Sequence, residues 1–155
     1  MNSKYLNIIL ADDDLDDCIF FKKVLDELPQ LTHLTIVRDG EELMDYLSGN
    51  SGFHPQVLFL DLNMPRKTGI ECLTEIKGNE KLKDLIVVMF STSYPREKGY
   101  EQDLINTLIK MGAFHFIRKQ DDLIHLKEAV NHALTLVSNQ INIQYKIGAG
   151  VKVHC

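Results

Sequence analysis

Short, almost uninterrupted apolar runs alternate with longer amphipathic stretches along the first 138 residues. LNIIL at 6–10, LTIV at 34–37, VLFL at 57–60, LIVVMF at 85–90 and FHFI at 114–117 read as strands. Three of these runs carry almost no polar interruption, the pattern expected of strands covered on both faces. Between the runs the spacing becomes helical. DDCIFFKKVLDEL sets Ile19, Phe20, Val24 and Leu28 on one side and stops at Pro29. GEELMDYL predicts a second helix closing at Gly49, and GIECLTEIKG a third ending near Gly78. A fourth falls within 96–111, before Gly112. The fifth, over 121–137, places Leu123, Leu126, Ala129, Val130, Ala133 and Leu134 on one face, with Asp121 or Asp122 as its N-cap. Strands alternating with helices in this way predict an α/β fold, a doubly wound, five-stranded parallel sheet with helices on both faces.

The pattern changes near residue 140. From 141 to 147 the chain alternates strictly, with Ile141, Ile143, Tyr145 and Ile147 on one side and Asn142, Gln144 and Lys146 on the other. A period of two predicts a half-buried strand, packed on its own domain or across a homodimer. The alternative is a disordered tail whose alternation is accidental. The chain therefore divides into a domain over 1–139 and a C-terminal extension over 140–155.

Composition narrows the function classes. A chain of 155 residues, 45% hydrophobic and 25% charged, is long enough to bury a substantial core as one globular domain. Its net charge of -5 argues against a nucleic-acid-binding module, which would need a basic face. No apolar run is long enough for a signal peptide's core or a membrane span, so a cytoplasmic protein is expected. Cys18, Cys72 and Cys155 are too scattered for a zinc motif and are expected to be reduced. The six histidines show no metal-ligand spacing.

In open parallel sheets, ligands collect beyond the carboxyl ends of the strands. Asp12, Asp13 and Asp14 follow the first strand, Asp61 the third, Ser91, Thr92 and Ser93 the fourth, and Arg118 and Lys119 the fifth. Clustered carboxylates with oxygen neighbours suit a hard divalent cation, Mg2+ where phosphate is also bound. A lysine and a hydroxyl facing that cation suit phosphoryl oxygens. An aspartate at the centre can then serve as a nucleophile, forming an aspartyl phosphate. For Asp16 and Asp17 the expected role is that of solvated acids in a first helical turn, favoured there by the helix dipole.

ILADDD, LFLDLNMPRKTG, VVMFSTS and GAFHFIRK, in this order and at these strand ends, resemble the four signature segments of receiver domains of two-component response regulators. The resemblance covers roughly residues 5–138. It implies a flavodoxin-like strand order of 2-1-3-4-5. It also implies that Asp61 is the phosphoacceptor, that Asp13 binds Mg2+ directly and Asp12 orients metal-bound water, and that Asn63 gives the metal a backbone carbonyl. Ser91 stands at the switch hydroxyl, Lys119 at the lysine that pairs with Asp61 and then with the phosphoryl group, and Phe116 at the aromatic switch. DDDLDD with LDLNMPRKTG is most similar to the small stand-alone regulators associated with bacterial phytochromes. Three features depart from the family. Gln120 replaces a proline after Lys119, Thr68 replaces an acid before Gly69, and the segment from Ser91 to Gly112 is longer by about half a dozen residues, a surface loop by its composition.

The function this implies is a phosphorelay regulator. A sensor histidine kinase, phytochrome-type, or a phosphotransfer protein supplies the phosphoryl group to Asp61. Output is phosphorylation-dependent contact with a downstream protein, without a DNA-binding domain and with at most weak self-phosphorylation and autodephosphorylation activity. An aspartate-nucleophile phosphohydrolase would need an acid two residues past the nucleophile, where Asn63 stands. A Ca2+ module of the EF-hand type would need the glycine and distal glutamate that DDDLDD lacks.

Overall fold

The computed structural model describes residues 5–49, 55–92, 99–119 and 122–153, with side chains to Tyr145. In chain order the elements are β1 (Leu6–Ala11), α1 (Leu15–Glu27), β2 (Thr32–Val37), α2 (Gly40–Ser48), β3 (Val57–Leu60), α3 (Gly69–Lys77), β4 (Ile86–Ser91), α4 (Tyr100–Lys110), β5 (His115–Arg118) and α5 (Leu123–Val153). All strand pairings are parallel, in the order β2-β1-β3-β4-β5.

The continuous apolar runs are explained by what lies on each side. Ile8 and Leu10 of β1, Val57 and Phe59 of β3, and Val88 and Phe90 of β4 face a core closed by α1 and α5. Their alternates Ile9, Ala11, Leu58, Leu60, Val87 and Met89 face a second core closed by α2, α3 and α4. Strands buried on both faces have no use for polar alternation. Inside the first core Phe21, Phe59 and Phe90 pack edge to face or tilted, with centroids 4.9 to 6.4 Å apart.

Helix ends follow local chemistry. Asp14 caps α1, its carboxylate accepting from the backbone of Asp16 and Asp17. Leu28, forced extended by the proline after it, ends that helix. Asp39 caps α2, and Gly49 and Gly78 terminate α2 and α3. Thr68 and Glu71 form a reciprocal capping box at α3. Thr68, at a position where the related pattern has an acid, thus keeps a capping side chain there. The Asp122 carboxylate accepts from Ile124 N at 2.8 Å at the start of α5, while Asp121 and Gln120 lie outside the described residues. The extra length expected around 92–103 falls largely on 93–98, also outside them.

Two expectations are corrected. The buried face of α1 is Cys18, Phe21, Val24 and Leu25, with Leu28 partly covered, whereas Ile19 and Phe20 are exposed. The expected stripe was rotated by about one residue from the one that faces the sheet. The strand expected at 141–147 is instead part of α5, which runs unbroken to Val153. Val130, Leu134, Val137 and Ile141 step by four, three and four, continuing the stripe that packs on the first core. Ile143 and Tyr145 stand 51% and 69% exposed. Extending an existing helix adds a hydrogen bond for each residue fixed, so the established helical stripe outweighs a seven-residue alternation. The thiols of Cys18 and Cys72 are buried and free. Among the described residues, no helix is long and apolar enough to cross a membrane.

Candidate functional site

Strands β1, β3 and β5 each deliver the next residue at the carboxyl edge by one more ladder hydrogen bond. Asp12 N donates to Val37 O at 3.0 Å, Asp61 N to Ala11 O at 3.0 Å, and Lys119 N to Ser91 O at 2.7 Å. The sheet therefore fixes the backbones of Asp12, Asp61 and Lys119 before any side chain is considered. Just beyond β3 the chain turns through 62–68, and Gly69 N returns to Leu62 O at 2.9 Å. A Cβ on Gly69 would stand 2.2 Å from the Asp61 carbonyl oxygen, so only glycine lets α3 start this close to the acidic centre.

Asp12 and Asp61 are buried and Asp13 is exposed, and carboxylate oxygens of all three come within 4.8 Å of one another. Asp14 N donates to Asp12 Oδ1 at 2.9 Å, and Asn63 N to Asp61 Oδ1 at 3.3 Å. One cation enters the group. Lys119 Nζ lies 2.6 Å from Asp12 Oδ2, 2.8 Å from Asp17 Oδ2 and 3.5 Å from Asp61 Oδ2, with its side chain 8% exposed. The same ammonium stands 5.2 Å from the centroid of the Phe90 ring. Ser91 is fully buried at the end of β4, in register with Arg118. Phe116 on β5 is half-buried against the second core, in register with Met89.

The electrostatics are those of crowded acids. Burial pushes the Asp61 carboxyl up to about 7, with Lys119 pulling it down and Asp12 adding to the rise. Burial likewise raises Asp12 above the usual carboxylate range, against its contact with Lys119. For Lys119, burial acts to lower the ammonium, but the Asp12 and Asp17 carboxylates beside it outweigh that and hold it above its ordinary value. Oδ2 of Asp12 makes no well-directed hydrogen bond, although the ammonium is close. A buried carboxylate oxygen left without a directed partner, beside two further acids, is a donor set that fits a hard divalent cation.

The structure thus brings together Asp12, Asp13, Asp61 and Lys119, with Ser91 on the adjoining strand end and Asn63 on the adjoining loop. It places two further residues there that the sequence reading left aside. Asp17, expected to be solvated, accepts a hydrogen bond from Lys119. Arg38, at the end of β2, donates from Nη2 to the Asp13 carbonyl at 2.8 Å and so steadies the acidic loop. Asp17 carries a signal that could have been used, since it stands in the first turn of the helix into which the acidic loop leads. Arg38 follows β2, but its place beside Asp39 gives no reason to single it out.

Residues 8–131 match the model of the response regulator receiver domain. Response regulator Rcp1 of Synechocystis sp. is 36% identical over 91 residues, which cover 56% of this chain and 62% of Rcp1. Among solved structures, the Mn2+-bound form of Rcp1 superposes with a TM-score of 0.68 at 29% identity, over 79% of this chain and 86% of that one. The phosphorylated cyanobacterial phytochrome response regulator RcpA superposes with a TM-score of 0.72 at 30% identity, over 83% of this chain and 91% of that one.

Proposed function

This chain belongs to the response regulator receiver domain family, and on that premise we propose that it accepts a phosphoryl group on Asp61 from the phosphohistidine of a sensor histidine kinase. The observation that carries the reading is the Asp12–Asp13–Asp61 cluster at the end of β1 and β3 with the buried Lys119 ammonium against it. Asp12, Asp13, Asp61 and the Asn63 carbonyl are the residues that would hold Mg2+. A bound cation there offsets negative charge on the carboxylates and on the incoming phosphoryl oxygens. That Rcp1 has been seen with Mn2+ and RcpA phosphorylated supports the reading.

The chain's own residues divide the remaining work. An Asp61 carboxylate oxygen attacks phosphorus as the phosphorus–nitrogen bond of the donor breaks, and the electron pair leaves with the imidazole. Lys119 supplies positive charge to the transferred group, and the Ser91 hydroxyl donates to one of its oxygens. Phe116, one residue before the core position Ile117, changes its packing when Ser91 is drawn inward. The unit performing this is residues 1–139, with a C-terminal extension over 140–155 that begins as the continuation of α5 to Val153. It works in the cytoplasm, with no nucleic acid and no membrane as partner, and with at most weak self-phosphorylation and autodephosphorylation. The partners are a phytochrome-type histidine kinase or a phosphotransfer protein, a downstream protein target, and a second copy in a homodimer.

The test is labelling by acetyl phosphate or a phosphorylated kinase with Mg2+ present. The parent acquires acid-labile, hydroxylamine-sensitive phosphate and Asp61→Asn acquires none. Undiminished labelling of that variant overturns the proposal.

A further inference from the structure

We propose that Asp17 is a positioning residue, the counter-ion that keeps Lys119 in place when the acidic centre is occupied by a divalent cation. The inference rests on the metal-site reading above. It concerns a residue outside the acid cluster, since Asp12, Asp13 and Asp61 gather within 4.8 Å and Asp17 is not among them.

Lys119 has three ammonium protons and three carboxylates around it. Its well-directed hydrogen bond is to Asp17 Oδ2, at 2.8 Å. The approach to Asp12 Oδ2 is close but not well directed, and Asp61 Oδ2 is 3.5 Å away. Both of those acids belong to the cluster. A doubly charged cation there claims the charge of Asp12 and Asp61 and at the same time repels an ammonium only a few ångströms off. Asp17 alone of the three remains wholly available to Lys119.

Its place is fixed independently of the ligand. The Asp14 cap accepts from Asp16 N at 2.9 Å and from Asp17 N at 3.2 Å, which sets the first turn of α1. Lys119 is anchored separately by its own backbone bond to Ser91 O. The Asp17–Lys119 bond therefore ties two rigid elements 102 residues apart in sequence. A first-turn acid serving only the helix dipole has no need to reach across to β5, and Asp16, the exposed acid beside it, makes no such contact among the described residues.

Without the Asp17 charge, the ammonium settles onto Asp12 and Asp61 and competes with the cation for them. Its effect on metal binding is therefore exerted through Lys119. Outer partners of this kind are commonly worth tenfold or more in metal affinity.

The experiment titrates the full-length protein with Mg2+ by calorimetry and follows the Lys119 side-chain ammonium by nitrogen-15 NMR. The parent, Asp17→Asn, Asp17→Glu and Asp13→Ala are compared. The expected result is about tenfold weaker Mg2+ binding in Asp17→Asn, restored in good part by Asp17→Glu. In the Mg2+-saturated parent the Lys119 ammonium signal persists, slow to exchange, and in Asp17→Asn it is shifted or lost. Asp13→Ala loses Mg2+ binding while its metal-free Lys119 signal stays as in the parent. Parental Mg2+ affinity and an unmoved Lys119 signal in Asp17→Asn, with Asp13→Ala impaired, overturn this proposal and leave the metal site standing. A parent protein that binds no Mg2+ at millimolar concentration, or an Asp13→Ala variant that binds it normally, overturns the metal-site reading and this proposal with it. The persistence of the ammonium signal in the saturated parent needs no variant to fold.

Discussion

The carboxyl edge of the sheet and the far end of α5 are built on opposite terms. At the edge, the backbones of Asp12, Asp61 and Lys119 are pinned by ladder bonds, and buried acids are forced together around one lysine. Beyond Ile141, α5 leaves the core and its described side chains turn to solvent. The first region is held in an electrostatically unfavourable arrangement by strong packing behind it. The second has neither strain nor much packing. Charge crowding and packing therefore oppose each other within the edge, while the described helix end past Ile141 carries little of either.

The sharpest break of that contrast is Gly69→Ala. Its methyl would meet the Asp61 carbonyl oxygen at 2.2 Å, a backbone atom that cannot swing aside. The expected cost is about 3 kcal/mol in denaturant unfolding, together with lost phosphorylation. An unchanged unfolding midpoint would show that the loop after β3 is not rigid.

Removing the crowded charge should act in the reverse direction. Asp61 titrates near 7 in the folded protein and near 3.8 without burial, so between those values the folded state binds more protons than the unfolded chain. That contribution to stability is complete below about pH 4 and disappears as the pH rises through 7. In chelator, the parent should lose stability across this window, and Asp61→Asn should lose much less. At pH 8 the variant should be roughly 1–3 kcal/mol the more stable of the two. Equal pH profiles for the two would remove Asp61 as the source of the strain.

Divalent cation should relieve the same strain from outside. At about ten times its dissociation constant, Mg2+ adds roughly 1.4 kcal/mol, a rise of a few degrees in the melting temperature of a chain this size. Asp13→Ala should show no such rise and should melt no lower than the parent in chelator. The mildest test lies at the other region. Truncation after Gln140 removes Ile141 from the first core and should cost about 1 kcal/mol. Truncation after Tyr145 should leave the melting temperature unchanged. If the two truncations behave alike, the core does not extend to Ile141.

The strand-end rule explains how much of the edge could be read beforehand. In a parallel sheet the residue after a buried strand must sit at the carboxyl edge, so Asp12, Asp61, Ser91 and Lys119 follow from apolar runs alone. Side chains that reach the site from elsewhere obey no such rule. Asp17 comes from a helix face, where the rule does not apply, whereas Arg38 does follow a strand, β2, but its place beside Asp39 gave no reason to single it out. The face of α1 was misplaced because Ile19 and Phe20 are as apolar as Phe21, and only the sheet decides which is covered. At 141–147 two periodicities overlap, and a local reading cannot see that the helix already formed upstream continues through them.

Strand β1 is made first, yet it lies inside the sheet, with β2 on one side and β3 on the other. Its Ile8–Ala11 segment must wait for Val57–Leu60, about fifty residues later in synthesis, before its second edge is covered. Until then a growing chain exposes an apolar strand edge open to pairing with any similar strand nearby. Parallel pairings between distant segments also form late in folding. Slow translation or a stall before β3 would thus prolong an aggregation-prone species, and solubility during expression should depend on how promptly residues 57–60 emerge.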